Sequence, residues 1–143
     1  MATELGRRGV LDTSTIILLE RIADVSSLPE EPMITAVTLA ELSVGPLVAS
    51  NSQEQALRQM RLQQAEVDFH PLPFDAAAAR TFGRVAESLR RGGRKSSARA
   101  FDAMIAATAI ANDLPLFTCN PSDFESIDDL DLRRIPHPDS LRD

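Results

Sequence analysis

Short apolar runs alternate with helix-patterned stretches along this chain, and that alternation restricts its fold more than any other feature. Gly9-Val10-Leu11, Met33-Ile34-Thr35, Val67-Asp68-Phe69-His70 and Leu116-Phe117-Thr118 each read as a short buried strand, and Leu132 to Ile135 as a short fifth. Strands that alternate with helices pack as a parallel sheet with helices on both faces, so the expected class is α/β with a mainly parallel, four- to five-stranded sheet. Ligands of such sheets sit outside the carboxyl ends of the strands, where Asp12 and Asn120 fall. At 143 residues, with no internal repeat or long linker, residues 1–143 are expected to form one domain.

The helical stretches carry their own punctuation. Thr13, Ser14 and Thr15 are capping residues ahead of Ile16, Ile17, Leu18, Leu19 and Ile22, and Thr38 to Val44 forms a short helix stopped by Gly45-Pro46. A third helix is expected over 53–66. Asp75 caps a long helix whose apolar face is expected at Ala79, Phe82, Ala86 and Leu89, ending at Gly92-Gly93. Ala98 to Ala111 is almost entirely small or apolar, which predicts a helix buried on most sides.

Charge is unevenly spread. The chain carries a net charge of −6, yet residues 80–100 hold seven of its fifteen basic side chains, opposed only by Glu87. An acidic protein with one basic band can steer a polyanion to a chosen surface, although a charge run is often a plain solvated face. Tyr and Trp are absent, which excludes a stacking platform of the single-strand-binding kind. A single cysteine, Cys119, excludes a disulfide framework and a four-cysteine zinc site. With no apolar run of eighteen residues and no leader pattern, the expectation is a cytoplasmic protein without membrane contact. Gly92-Gly93 lacks the spacing of a phosphate-binding loop. His70 and His137 lie beside prolines with no neighbouring ligand pattern.

Four acids interrupt apolar surroundings: Asp12, Glu41, Asp102 and Asp123. Singly, each has an ordinary reading as a helix cap, a dipole partner, a solvated helix residue or turn chemistry. Jointly they suggest a shared pocket. Carboxylates gathered in a half-buried pocket repel one another and raise their pKa values unless a cation joins them. A hard divalent ion with oxygen ligands answers that need, and such ions serve phosphoryl chemistry without histidine.

The segments Val10-Leu11-Asp12-Thr13-Ser14, Thr38-Leu39-Ala40-Glu41-Leu42, Phe101-Asp102-Ala103-Met104-Ile105-Ala106-Ala107-Thr108-Ala109 and Thr118-Cys119-Asn120-Pro121-Ser122-Asp123-Phe124 resemble the four sequence blocks of PIN-domain nucleases. They are most similar to those of the VapC toxins of bacterial toxin–antitoxin pairs, in the same order and over nearly the whole chain. The resemblance implies a PIN-like α/β/α sandwich and a Mg²⁺-dependent endoribonuclease (Mn²⁺ substituting) that hydrolyses RNA phosphodiesters by metal-activated water. By motif match, Asp12, Glu41 and Asp102 take the three acidic catalytic and metal-ligand positions, and Asp123 the more variable fourth. Thr13, Ser14 and Asn120 would lie beside the metal and substrate. Arg94, Lys95 and Arg99 would meet flanking phosphates, with Arg80, Arg84 and Arg91 extending that track. Cys119 departs from the pattern, standing where a basic residue is frequent. The resemblance also implies a VapB-like antitoxin partner and a homodimer or a heterotetramer with it, the apolar positions of Ile16–Leu19 and of the 53–66 helix supplying the groove.

Two rival readings make different demands on the residues. A phosphatase with Asp12 as nucleophile would need a second Asp two positions on, where Ser14 stands, and a lysine in the sheet, whereas the only lysine is Lys95. A catalytically silent scaffold of the same shape, acting through protein or RNA partners, need not keep all four acids.

Overall fold

Alternation along two short strands divides the core into two apolar layers. In the computed structural model, which describes residues 8–93 and 99–141, strand β1 (Arg8–Leu11) sends Val10 to one face and Leu11 to the other. Strand β3 (Leu116–Thr118) does the same with Leu116 and Phe117. With β2 (Glu31–Met33) and β4 (Leu132–Arg134) they form a four-stranded, all-parallel sheet in the order β2-β1-β3-β4. Parallel neighbours need crossover connections, which helices supply up to β3 and an irregular segment with one helical turn, Pro121–Asp123, supplies between β3 and β4.

Helices α1 (Thr13–Leu18), α2 (Ala36–Val44) and α3 (Ser52–Asp68) cover one face through Ile16, Leu42 and Ala65, packed on Leu11 and Phe117. Helices α4 (Ala76–Arg91) and α5 (Ala100–Ala111) cover the other through Val85, Leu89, Ala103, Ile105 and Ala106, packed on Val10 and Leu116. The expected α/β sandwich is therefore the observed one. Gly9 admits the close approach of β1 to its neighbour: a Cβ there would strike the Phe117 ring and lie 3.1 Å from Pro29 Cβ.

Three details differ from the expectation. Residues 67–70 are not a strand. α3 runs on through Asp68, with Asn51 capping its start by accepting from Glu54 N at 2.8 Å and Gln64 donating to Asp68 Oδ2 at 2.9 Å near its end. Val67 is 80% exposed, so nothing draws that run into the core. The sheet edge is instead met beyond Pro71, where Leu72 N donates to Ile34 O and Ala36 N to Leu72 O. β2 begins two residues early, with Pro32 tolerated because it lies on an edge strand. The buried stripe of α4 is Ala78, Thr81, Val85, Ser88 and Leu89 rather than Ala79, Phe82, Ala86 and Leu89. Two hydroxyls can face the core there because Thr81 donates to Ala77 O and Ser88 to Arg84 O.

Candidate active site

β1 and β3 are central neighbours whose onward connections leave in opposite directions, β1 toward β2 and β3 toward β4. That makes their carboxyl ends the crevice of an open parallel sheet. Asp12 follows β1 immediately and is 3% exposed. It occupies the N-cap position of α1, where the Thr15 backbone N–H gives its carboxyl only the weakest of its hydrogen bonds. Its carboxylate is taken mainly by neighbouring hydroxyls. Ser14 donates to Oδ2 at 2.8 Å, and Thr15 donates to Oδ1. A helix-capping role alone leaves that arrangement unexplained.

Each further group is locked by another. Asn120, just past β3, donates from Nδ2 to Ser14 Oγ at 2.9 Å. Thr15 is fully buried and its Oγ1 also accepts from Cys119 N at 3.0 Å, tying α1 to the end of β3. Thr118 supplies a further hydrogen bond to the Asp12 carboxylate. Glu41 projects from α2, whose start is capped by Thr35 accepting from Thr38 N. Thr13 donates to Glu41 Oε1 at 2.6 Å and lies 2.9 Å from Thr38 Oγ1. Asp102 sits in the first turn of α5, and Asp123 in the helical turn Pro121–Asp123 after β3.

Arg99, expected to meet phosphate, lies between those last two acids. Its Nη1 is 2.7 Å from Asp123 Oδ1 and 3.5 Å from Asp102 Oδ2. Arg94 and Lys95 lie outside the described residues. Arg80 and Arg84 line a depression with Ala111, at the far end of α5 from Asp102. Nine residues of helix, about 14 Å, separate the two ends, so these arginines stand apart from the acids. Arg91 is engaged by Asp128 at 2.6 Å and by Glu87.

Electrostatics show that the four acids share one field. Asp102 is pushed up to about 6, by burial first and then by Asp123, Asp12 and Glu41, with Arg99 opposing. Burial also raises Asp12 against its three hydroxyl donors. Glu41 is raised by burial and by Asp12, against the bond from Thr13. The donor set is all oxygen, without imidazole or thiolate, which suits a hard divalent cation. As the side chains stand, among the described residues no three of them close tightly enough around one point to chelate an ion. The chemistry of the set fits such an ion, and so does the mutual repulsion it would relieve.

A pH dependence follows. A carboxyl whose folded pKa is raised binds its proton more tightly folded than unfolded, so protonation favours folding. The metal-free protein is expected to gain up to about 2 kcal/mol as pH falls from about 6 toward about 4, the window between the folded and unfolded values of Asp102. Urea midpoints in EDTA across that range check it, and a flat profile in wild type would refute it.

The expected site residues Asp12, Glu41, Asp102, Asp123, Thr13, Ser14 and Asn120 are linked here by hydrogen bonds or by the shared field. Thr15 was expected only as a helix cap, and the hydroxyls of Thr38 and Thr118 had no expected role. All three are fully buried polar side chains, a signal that emerges only with the fold. Cys119 is 5% exposed and packs in the layer with Phe117, as a small apolar filler would.

A site of clustered carboxylates at the carboxyl end of a parallel sheet, with helices on both faces, matches a known family over most of the chain. Residues 10–130 fit the family model described as PIN domain, and the chain belongs to that family. Within it, the chain is 39% identical over 122 residues to Ribonuclease VapC5 of Mycobacterium tuberculosis, covering 84% of this chain and 87% of that protein. It is 33% identical to Ribonuclease VapC8 of the same species, covering 71% of this chain and 89% of that protein. The crystal structure of VapBC-5, a toxin–antitoxin system of M. tuberculosis, superposes with a TM-score of 0.74 at 36% identity, over 90% of this chain and 98% of that one.

Proposed function

We propose that this protein is a divalent-metal-dependent endoribonuclease and the toxin member of a toxin–antitoxin pair. The observation that carries the reading is the crowding of four acids at the β1–β3 crevice, where burial first and then the other three acids push Asp102 up to about 6. Asp12 and Asp102 would hold the principal Mg²⁺ or Mn²⁺, and Glu41 and Asp123 would bind through water or a second ion. When bound, such an ion supplies positive charge to the phosphodiester and lowers the pKa of a water molecule.

The chain's own residues do the rest by positioning. Ser14 and Thr15 hold both oxygens of Asp12, Asn120 holds Ser14, and Thr13 holds one oxygen of Glu41. Carboxylates fixed in advance need no reorganisation when charge develops at the phosphate. Arg94, Lys95 and Arg99 belong to the basic band that would contact the RNA backbone without reading bases. Ribonuclease activity in the VapC5 and VapC8 relatives supports this assignment.

For the partner, a groove between α1 and α3 is lined by Ile16, Ile17, Leu57, Met60, Ala65 and Phe69. Ile17, Leu57 and Met60 are exposed at its rim. It is the groove expected from the apolar positions of both helices, and it suits an apolar helix face of a VapB-like antitoxin, assembled as a homodimer or a heterotetramer. The toxin–antitoxin nature of VapBC-5 supports that partner. Among the described residues, no helix is long and apolar enough to cross a membrane.

The test is cleavage of a mixed RNA pool by antitoxin-free protein with Mg²⁺, Mn²⁺ or EDTA, beside Asp12→Ala. Cuts that need metal and vanish in the variant are expected. A metal-loaded protein that leaves the pool intact would overturn the reading in favour of a silent scaffold.

A further inference from the structure

Arg99 was expected to face the substrate, but its guanidinium is turned inward. It contacts Asp123 Oδ1 at 2.7 Å and approaches Asp102 Oδ2 at 3.5 Å, and these side chains are only 27 to 31% exposed. The pair with Asp123 spans 24 residues of sequence and joins α5 to the turn after β3. Among the described residues, Arg99 is the one basic group that offsets the charge on Asp102. The acids around it do not close on a common point in this arrangement.

We infer that Arg99 is the resident counter-cation of the carboxylate cluster, and that it must release Asp123 and Asp102 before those acids can take up a divalent ion. The inference rests on the reading of the four acids as metal ligands and adds a competitor from within the chain. An arginine cannot give up its charge by deprotonation, so it can yield only by moving. A carboxylate oxygen bonded at 2.7 Å has its lone pair aimed at the guanidinium, and two cations sharing one carboxylate repel. The exchange is local. Arg99 is the residue that precedes α5, and its side chain makes no cap bond, so it can swing away without unwinding the helix. Once released, it lies at the edge of the crevice as a free positive charge, which is the position a backbone phosphate would meet. Metal loading and the presentation of Arg99 to RNA then become one event.

The experiment compares wild type, Arg99→Gln and Arg99→Lys. Mn²⁺ affinity is read from the electron paramagnetic resonance signal of free Mn²⁺, and thermal unfolding is followed in EDTA and in saturating Mg²⁺. Arg99→Gln is expected to bind Mn²⁺ about tenfold tighter, the order of effect of removing one nearby, partly screened charge. It is also expected to melt below wild type in EDTA, with the deficit closing in Mg²⁺ because metal binding favours the folded state. Arg99→Lys keeps the charge and is expected within about twofold of wild-type affinity. Folding of Arg99→Gln only when Mn²⁺ is added also supports the inference. Equal or weaker binding by Arg99→Gln, an equal stability loss with and without metal, or equal tightening by Arg99→Lys overturns it while leaving the metal reading intact. Absence of Mn²⁺ binding in wild type and both variants removes the metal reading and the inference together.

Discussion

Asp102→Asn is expected to abolish RNA cleavage and, in EDTA, to make the protein more stable than wild type. The two effects share one cause. Asp102 carries a charge that burial and three neighbouring acids resist, and its carboxyl titrates near 6. An amide of the same shape removes that repulsion, worth up to about 2 kcal/mol near neutral pH. The melting temperature should rise by about 5 °C, given 2–4 °C per kcal/mol in a chain of this size. Arg99 loses part of its charge partner, which trims the gain without reversing it, because Asp123 remains its nearer contact. Catalysis responds in the opposite direction. A divalent ion is worth several kcal/mol of transition-state charge stabilisation, so removal of a ligand carboxylate should cost at least about 10³-fold in rate. Initial cleavage rates and melting curves, measured on the same preparation, check both arms. A variant that cleaves near the wild-type rate would exclude Asp102 as a ligand.

Phe124→Ala is expected to produce the largest loss of stability and to weaken metal binding from a distance. Phe124 is 1% exposed and packs in the layer beneath α4 and α5. Its backbone closes the helical turn that carries Asp123, through Phe124 N to Pro121 O at 2.9 Å, and Ile127 N returns to Phe124 O at 3.1 Å. Truncating a buried Phe costs about 3–5 kcal/mol, a large share of the 5–15 kcal/mol typical of a domain. The melting temperature should fall by about 10 °C. A turn without its anchor no longer fixes Asp123, so Mn²⁺ affinity should fall in parallel among the molecules that remain folded. Unchanged affinity alongside the stability loss would mean that Asp123 is positioned without Phe124.

How far such residues can be recognised before folding depends on the range of the interaction. The strands β1 and β3 were legible because Val10-Leu11 and Leu116-Phe117 are apolar runs with polar residues at their ends. Glu41 and Asp102 were legible because each breaks an otherwise apolar helix. Residues 67–70 were not, since Val67-Asp68-Phe69 alternates like a strand over too short a stretch to outweigh a capped helix that simply continues. The stripe of α4 was displaced because Ala79 and Phe82 on one face are as apolar as Ala78 and Val85 on the other, so sequence offered two competing faces. Thr15 follows the first motif and Thr118 opens the last, yet nothing in their spacing says that both hydroxyls serve the Asp12 carboxylate. Arg99 shows the same limit most sharply. Its place in a basic band suggests phosphate, and only the approach of Asp123, 24 residues onward, turns it inward.

A ribosome making this protein holds half a site for most of the time it takes. Asp12 and Glu41 emerge early, but the contacts that complete the crevice reach back across more than a hundred residues, from Asn120 to Ser14 and from Cys119 to Thr15. Strand β1 receives its second neighbour only when Leu116–Thr118 has been added. The groove proposed for the antitoxin is different in kind, since every residue lining it falls between Ile16 and Phe69. Translation therefore supplies the residues of the proposed antitoxin groove first and those that close the acidic crevice last, and the two halves lock together only when Phe117 packs under Ile16 and Ala65.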